Sequence, residues 1–262
     1  EMGTGKSKVL IDNIAMLYDK GKINGALIVA PKGVYHNWER QELPIHMPEH
    51  VLYQIITWSP SETKKQQIAL KKLFIHDEDL VIFLMNIEAF STKKGVRIAE
   101  RFLLAHSALM AIDESTTIKS PTASRTKNVL KLRVLAKYRR ILTGAPVTKS
   151  PLDLYTQCFF LDPDFLDFSS YYAFKNRYAI MIDRNVGTHS FKHVMGYRRL
   201  DELNEKLNFS IPKDNAYTNT LIWIAESFND ANSAIKLKDK DAGIIVVKDV
   251  VKDGEFSTSF TM

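Results

Sequence analysis

Short, largely apolar runs recur along this chain, separated by longer amphipathic stretches, and that alternation restricts the fold more than any single residue does. The runs are ALIVA (26–30), LVIFLM (80–85), LMAID (109–113) and RILTG (140–144). Each is short and apolar on both faces, as strands buried on both sides of a parallel sheet are. Between them SKVLIDNIAMLYDKG, SETKKQQIALKKLF, GVRIAERFLLA and SRTKNVLKLRVLAK carry helical periodicity. Strands alternating with helices imply right-handed crossovers and a doubly wound α/β sheet. In such a sheet the functional groups gather at the carboxyl ends of the strands. A chain of 262 residues is long enough for one such domain and an appendage. Its longest apolar runs fall far below the roughly 20 residues of a membrane helix, and no secretory signal opens it.

After Leu154 the pattern turns helical and aromatic (YTQCFFLDPDFLDFSSYYAFKNRYA), and these aromatics are expected in a core rather than stacked on a cofactor. A flexible connection is expected around DRNVGTHSFKHVMGY, then a last helix, LDELNEKL, ending near Asn208. Beyond IPKDN the texture changes to a helix from about 216 to 231 and two alternating strands around a KDG turn. The expected units are therefore residues 1–208 and a small α+β segment over 212–262.

The chemistry starts at the first residues, EMGTGKS. A phosphate-binding loop reads G-x-x-x-x-G-K-[ST]: backbone N–H groups and a helix N-terminus cradle phosphates, the lysine reaches the β/γ-oxygens and the hydroxyl meets Mg²⁺. Gly5-Lys6-Ser7 is intact and Gly3 permits close backbone approach, but the first consensus position would precede Glu1. The chain therefore reads as a piece of a longer one that begins inside the loop. A chance match to so short a motif is the alternative. A second feature bears on that choice, because the apolar run LMAID ends in Asp113 and Glu114. P-loop enzymes present a Mg²⁺-associated Asp and a water-activating Glu in this way. Solvated acids at a strand end are the plainer reading.

Composition adds exclusions. Cys158 is the only cysteine, so neither an intramolecular disulfide nor a cysteine-rich zinc site can form, in keeping with a reducing cytosol. His36, His46 and His106 lack metal-ligand spacing. The net charge of +6 is unevenly spread: residues 1–210 carry 30 basic against 22 acidic groups, and residues 211–262 carry 6 against 8. A basic first unit suits a polyanion.

Several segments together carry a family resemblance: Pro31-Lys32 followed by Asn37-Trp38, DESTTIKSPTASRTK, RRILTGAPVTKSPLDLYTQ (139–157), NIEAFSTKKG, FLDPDFL and YRRLDELNEKL. The first three resemble motifs Ia, II and III of superfamily-two (DEAD/DEAH-like) helicases, most closely the Swi/Snf-like ATPases and their phage-encoded relatives, and the other three strengthen the likeness, which covers about residues 1–208. The resemblance implies the first RecA-like lobe of a P-loop NTPase that uses ATP and Mg²⁺ on DNA. It implies that Gly3, Thr4 and Gly5 wrap the triphosphate, Lys6 contacts its β/γ-phosphates and Ser7 ligates Mg²⁺. Asp113 would hold the metal through water and Glu114 would activate the attacking water. Pro31 and Lys32 match a segment that contacts the DNA backbone without reading bases. Thr143 and Gly144 match the motif that couples nucleotide state to the DNA track.

The resemblance has departures. Thr116 stands where many relatives carry His, which bears on the coupling step. Nothing after Leu207 resembles the second RecA-like lobe or its arginine finger, so the chain alone is expected to bind nucleotide weakly and hydrolyse little. Trp38 either packs under the sheet or serves the site, and Lys119, Arg125 and Lys127 form either a solvated face or a phosphate track. The tail, AYTNTLIWIAESFNDANSAIKLKDKDAGIIVVKD, is similar to the opening of a bacterial domain family of unknown function with a TBP-like fold; its strands could instead extend the main sheet. The resemblance places the protein in the cytoplasm of a bacterium or phage-infected cell. Another P-loop NTPase, such as a nucleotide kinase, and a non-catalytic nucleic-acid-binding fragment remain the alternative functions.

Overall fold

A helix of 14 residues, α1 (Lys6–Asp19), leads into the first buried strand, β1 (Gly25–Ala30). The computed structural model describes residues 5–61, 63–74, 79–186, 189–209, 250–252 and 255–257. After β1 the chain enters α2 (Tyr35–Asn37), passes through a π-helical turn (Trp38–Glu42) and continues as α3 (Leu43–His46). There follow β2 (Tyr53–Thr57), α4 (Lys64–Lys72), β3 (Leu80–Asn86), α5 (Lys93–Ala105), β4 (Ala108–Asp113), α6 (Ser124–Leu132) and β5 (Tyr138–Leu142).

The five strands form one sheet in the order β2-β3-β1-β4-β5, and every neighbouring pair is parallel. Every residue of β1, β4 and β5 is buried, so the apolar runs are strands covered on both faces. Alternate residues serve opposite layers. Ala26, Ile28 and Ala30 pack with Leu10, Ile11 and Ile14 of α1 and with Trp38 and Leu43, whereas Leu27 and Val29 pack with Phe102 of α5 and Val129 of α6. The connections leaving the adjacent strands β1 and β4 thus go to opposite faces. That divergence opens a crevice at the carboxyl edge between them, the usual ligand position in an open α/β sheet.

The α/β expectation holds, with one added strand. Tyr53–Thr57 was not among the apolar runs because β2 lies at the sheet edge, where only Ile56 of its residues is buried. The helical segment 35–46 was also unannounced: Gly33, Pro44 and several polar residues mask its periodicity.

Beyond β5 lie α7 (Leu154–Leu161), α8 (Tyr171–Tyr178), β6 (Ala179–Val186), β7 (His189–Tyr197) and α9 (Leu200–Phe209). As expected, the aromatics here make a core of their own. Phe174 and Tyr178 are fully buried with ring centroids 4.9 Å apart, and Tyr155 and Phe168 surround them. The flexible connection foreseen at 183–197 is instead an antiparallel hairpin, β6 against β7, paired from Ala179↔Tyr197 to Val186↔His189. Asp, Arg, Asn and Lys gave it low strand propensity. What holds it is tertiary: Met181, Val194 and Tyr197 pack on the aromatic core, and the Arg198 amide donates to the Tyr178 carbonyl at 2.8 Å. In the tail, β8 (Val250–Lys252) and β9 (Glu255–Ser257) pair antiparallel on either side of the expected turn. The helix expected at 216–231 lies outside the described residues, as does most of the segment resembling the TBP-like family.

Candidate functional site

Geometry alone returns the head of α1 to the crevice. At about 1.5 Å per residue this helix is about as long as β1, which rises about 3.3 Å per residue. Running back from the start of β1, it therefore brings Lys6 and Ser7 to the edge where the strands end. The Asn13 side chain fastens α1 to β5 by accepting a 2.9 Å hydrogen bond from Arg140 Nε. Burial pushes the Arg140 guanidinium down to about 9, still charged at neutral pH. Gly5 caps the helix with φ 76°, a left-handed conformation that favours glycine; among the described residues no side chain caps this end, and no acidic residue lies in the first turn. A helix start with these properties suits an anion. Gly3 and Thr4 lie outside the described residues.

Asp113 ends β4 in the same edge, paired with Leu142 of β5. It is 9% exposed. Both oxygens are engaged: Oδ2 accepts from Trp38 Nε1 at 2.9 Å, and Oδ1 accepts from the Glu114 amide at 3.0 Å. Burial pushes its carboxyl above the ordinary value and Glu114 adds to that. The Trp38 and Glu114 hydrogen bonds and the positive charge of Lys6 act in the opposite direction. The opposing charge of Lys6 accords with the topology, which brings the head of α1 and the end of β4 to the same edge. Glu114 has φ 49° and ψ 61°, a strained conformation for a side-chain-bearing residue, which turns the chain sharply from β4 into a 3₁₀ turn at Ser115–Ile118.

Two more segments reach this edge. Pro31 and exposed Lys32 follow Ala30, whose strand partner is Asn86 at the end of β3. Thr143, buried, and half-exposed Gly144 follow β5, and Thr143 Oγ1 accepts from the Ala145 amide at 3.2 Å. All the described candidate residues therefore share one rim.

The structure also ties the loops of this rim together through residues that the sequence did not single out. Gln157 of α7 is fully buried; its Oε1 accepts from Ser115 Oγ at 2.6 Å, and its Nε2 donates to the Pro146 and Asp153 carbonyls, each at 2.8 Å. Thr156 beside it donates to the Ile118 carbonyl at 2.7 Å. The turn after Asp113-Glu114 is thereby bolted to the loop after Thr143-Gly144. A Thr-Gln pair inside an otherwise apolar helix was the available signal.

The basic stretch resolves into structural roles for two of its three members. Arg125 Nε donates to the Thr117 carbonyl at 3.0 Å, and Lys119 hydrogen-bonds Thr148 and pairs with Asp153 at 3.6 Å; Lys127 is exposed. Asp153 Oδ2 also accepts from the amides of Thr148 and Lys149 at 3.2 and 3.1 Å. Burial pushes the Asp153 carboxyl up, but the Lys149 and Thr148 hydrogen bonds and the Lys119 charge outweigh it and hold the group below the ordinary 3.8. Its stabilisation is complete above that value and is lost as pH falls through the lower native value. Denaturant unfolding of Asp153→Asn against pH is expected to show a shallower acid loss of stability; an unchanged profile would refute the link.

A model of the SNF2-related domain matches residues 1–223. The chain belongs to the SNF2-related domain family. Among curated relatives, this SNF2-related chain is 29% identical over 170 residues to the chromatin-remodeling ATPase INO80 of Schizosaccharomyces pombe, covering 64% of the chain and 10% of that protein. It is 29% identical over 171 residues to the INO80 protein of Debaryomyces hansenii, covering 64% and 12%. It thus spans about a tenth of the length of the curated relatives it matches. The Sulfolobus solfataricus SWI2/SNF2 ATPase core in complex with dsDNA superposes with a TM-score of 0.50 at 23% identity, over 68% of this chain and 33% of that one, which shows the shared fold. These matches overturn one expectation. A cytoplasmic protein of bacterial or phage origin was inferred, but the curated relatives are eukaryotic chromatin-remodeling ATPases. The motifs that suggested it are demanded by phosphate and metal chemistry, which is the same in every compartment. Among the described residues, no helix is long and apolar enough to cross a membrane.

Proposed function

We propose that this SNF2-related chain is the ATP-binding lobe of a DNA-dependent ATPase that couples hydrolysis to movement on, or remodelling of, DNA. The observation that carries the reading is the sheet topology that returns the head of α1, with Lys6, to the edge where β4 ends in Asp113 and Glu114 follows. These residues fit a magnesium triphosphate: for the phosphates, a helix start whose described residues give no side-chain cap and no acid in the first turn, and for the ion, the Asp113 carboxylate at the end of β4 with the Ser7 hydroxyl in the first turn of α1. Gly3, Thr4 and Gly5 would wrap the phosphates, Lys6 would neutralise the β/γ-oxygens, and Ser7 and Asp113 would hold Mg²⁺. When bound, the ion would offset charge that builds on the phosphoryl oxygens. Glu114 would orient a water and take its proton.

For DNA, exposed Lys32 beside Pro31 supplies sequence-independent attraction to phosphates. Thr143 and Gly144 would transmit nucleotide state, and the Gln157 bridge from Ser115 to Pro146 offers a physical route between the two loops. Translocation or remodelling does not require strand separation, and the match to the SNF2-related domain does not favour a nucleotide kinase. A second RecA-like lobe would complete the active site, with an arginine contribution of roughly 10³ to 10⁵ in rate among phosphoryl-transfer enzymes.

The test is ATP hydrolysis with and without double-stranded DNA, by this chain and by a longer polypeptide carrying a second lobe. The chain alone is expected to turn over little, and the longer protein to be stimulated by DNA. Equal turnover by both would refute the two-lobe requirement; phosphoryl transfer to a nucleotide acceptor without DNA stimulation would refute the motor.

A further inference from the structure

Trp38 and Asp113 are 75 residues apart in sequence and meet across the crevice between β1 and β4. The indole is 1% exposed, and its N–H donates to Asp113 Oδ2 at 2.9 Å. An indole has one donor and no acceptor, so a buried indole needs one outward bond, and here the acceptor is the carboxylate at the end of β4. The Glu114 amide holds the other oxygen, so both ends of the carboxylate are fixed and its plane cannot rotate freely. The donor sits at the start of the π-helical turn Trp38–Glu42, in the segment that begins at Pro31-Lys32. π-helical turns are uncommon and frequently accompany functional positions. A tryptophan that only filled space under the sheet would not require that its single polar atom end on this carboxylate.

We propose that Trp38 is a positioning residue for the metal site: its N–H sets the orientation of the Asp113 carboxylate toward Mg²⁺. This places the segment after Lys32 one hydrogen bond from the nucleotide's metal. The inference rests on the nucleotide reading above and adds a residue and a role to it. Losing the bond frees Asp113 to rotate and leaves Oδ2 buried without its donor, which weakens metal binding while leaving the phosphate contacts of Lys6 in place.

The experiment measures binding of the fluorescent nucleotide mant-ADP to this chain, in EDTA and across a Mg²⁺ titration. Trp38→Phe is expected to raise the Mg²⁺ concentration at half-saturation about tenfold, as befits one hydrogen bond to a charged group. Binding in EDTA should stay within about twofold, since no phosphate contact is touched. Asp113→Asn should raise the Mg²⁺ requirement too, and the double variant should be no worse than Asp113→Asn alone, because Trp38 acts through that carboxylate. Benzothienylalanine incorporated at position 38 keeps the ring volume and replaces N–H by sulfur; it should reproduce the Trp38→Phe shift and decides the matter if the phenylalanine variant does not fold. An unchanged Mg²⁺ requirement in the isostere, an equal loss in EDTA, or additive effects in the double variant would overturn the proposal while leaving the nucleotide reading intact. Failure of the unaltered chain to bind mant-ADP, or binding indifferent to Lys6→Ala, would overturn the nucleotide reading and this proposal with it.

Discussion

Lys6→Ala is expected to weaken binding of a magnesium nucleotide to this chain by about a hundredfold, since removing one partner of a close charge pair costs about 2–5 kcal/mol and each 1.4 kcal/mol is a factor of ten. The loss is so large because the helix start offers only partial charges. Among the described residues α1 has no capping side chain, and Gly5, held at φ 76°, contributes backbone and nothing more. The lysine is the full positive charge that acts on Asp113 at this edge. Folding should barely change, because Lys6 is half-buried in the first turn and not part of the core. Titration with mant-ADP checks the first statement and denaturant unfolding the second. Affinity within threefold of the unaltered chain would remove Lys6 from the phosphate site.

A second large effect lies beneath the rim. Gly95→Ala is expected to destabilise the fold by about 3 kcal/mol, well beyond an ordinary surface change. Helix propensity points the other way and favours alanine by about 1 kcal/mol. Sterics win, because a Cβ at position 95 would lie 2.2 Å from the Ala89 carbonyl oxygen and 2.7 Å from its carbon. Those are backbone atoms of the 3₁₀ turn Ile87–Ser91, and they cannot swing aside as a side-chain tip can. The helix would have to lift off that turn, stretching the 3.0 Å bond from the Gly95 amide to Thr92 Oγ1 that caps α5. Gly33→Ala is the control: nothing lies within 4 Å of its Cβ, and its stability should change by less than about 0.5 kcal/mol. Equal urea midpoints for the two variants would refute the packing argument.

Much of the molecule was readable before any coordinates. ALIVA, LVIFLM, LMAID and RILTG became four strands of the sheet because a strand covered on both faces must be apolar throughout. β2 escaped notice because an edge strand needs burial on little of its surface, and the β6–β7 hairpin escaped because its polar residues are held by the aromatic core beside them. Asp113 and Glu114 stood out as two acids closing an apolar run. Gln157 and Asn13 did not, since each is an ordinary polar residue until a partner far along the chain makes it otherwise. Trp38 was left between packing and function; its ring is buried, and its indole N–H ends on Asp113.

What the sequence determined by itself is what short-range physics controls. Periodicity selected strand or helix, glycine permitted the left-handed turn at position 5, and residue chemistry marked the candidates for phosphate and metal binding. Only the tertiary structure decided which of these meet. The strand order β2-β3-β1-β4-β5 puts the ends of β1 and β4 side by side, and that adjacency, set by the packing of two apolar layers on one sheet, brings Lys6, Trp38 and Asp113 together from three distant parts of the chain.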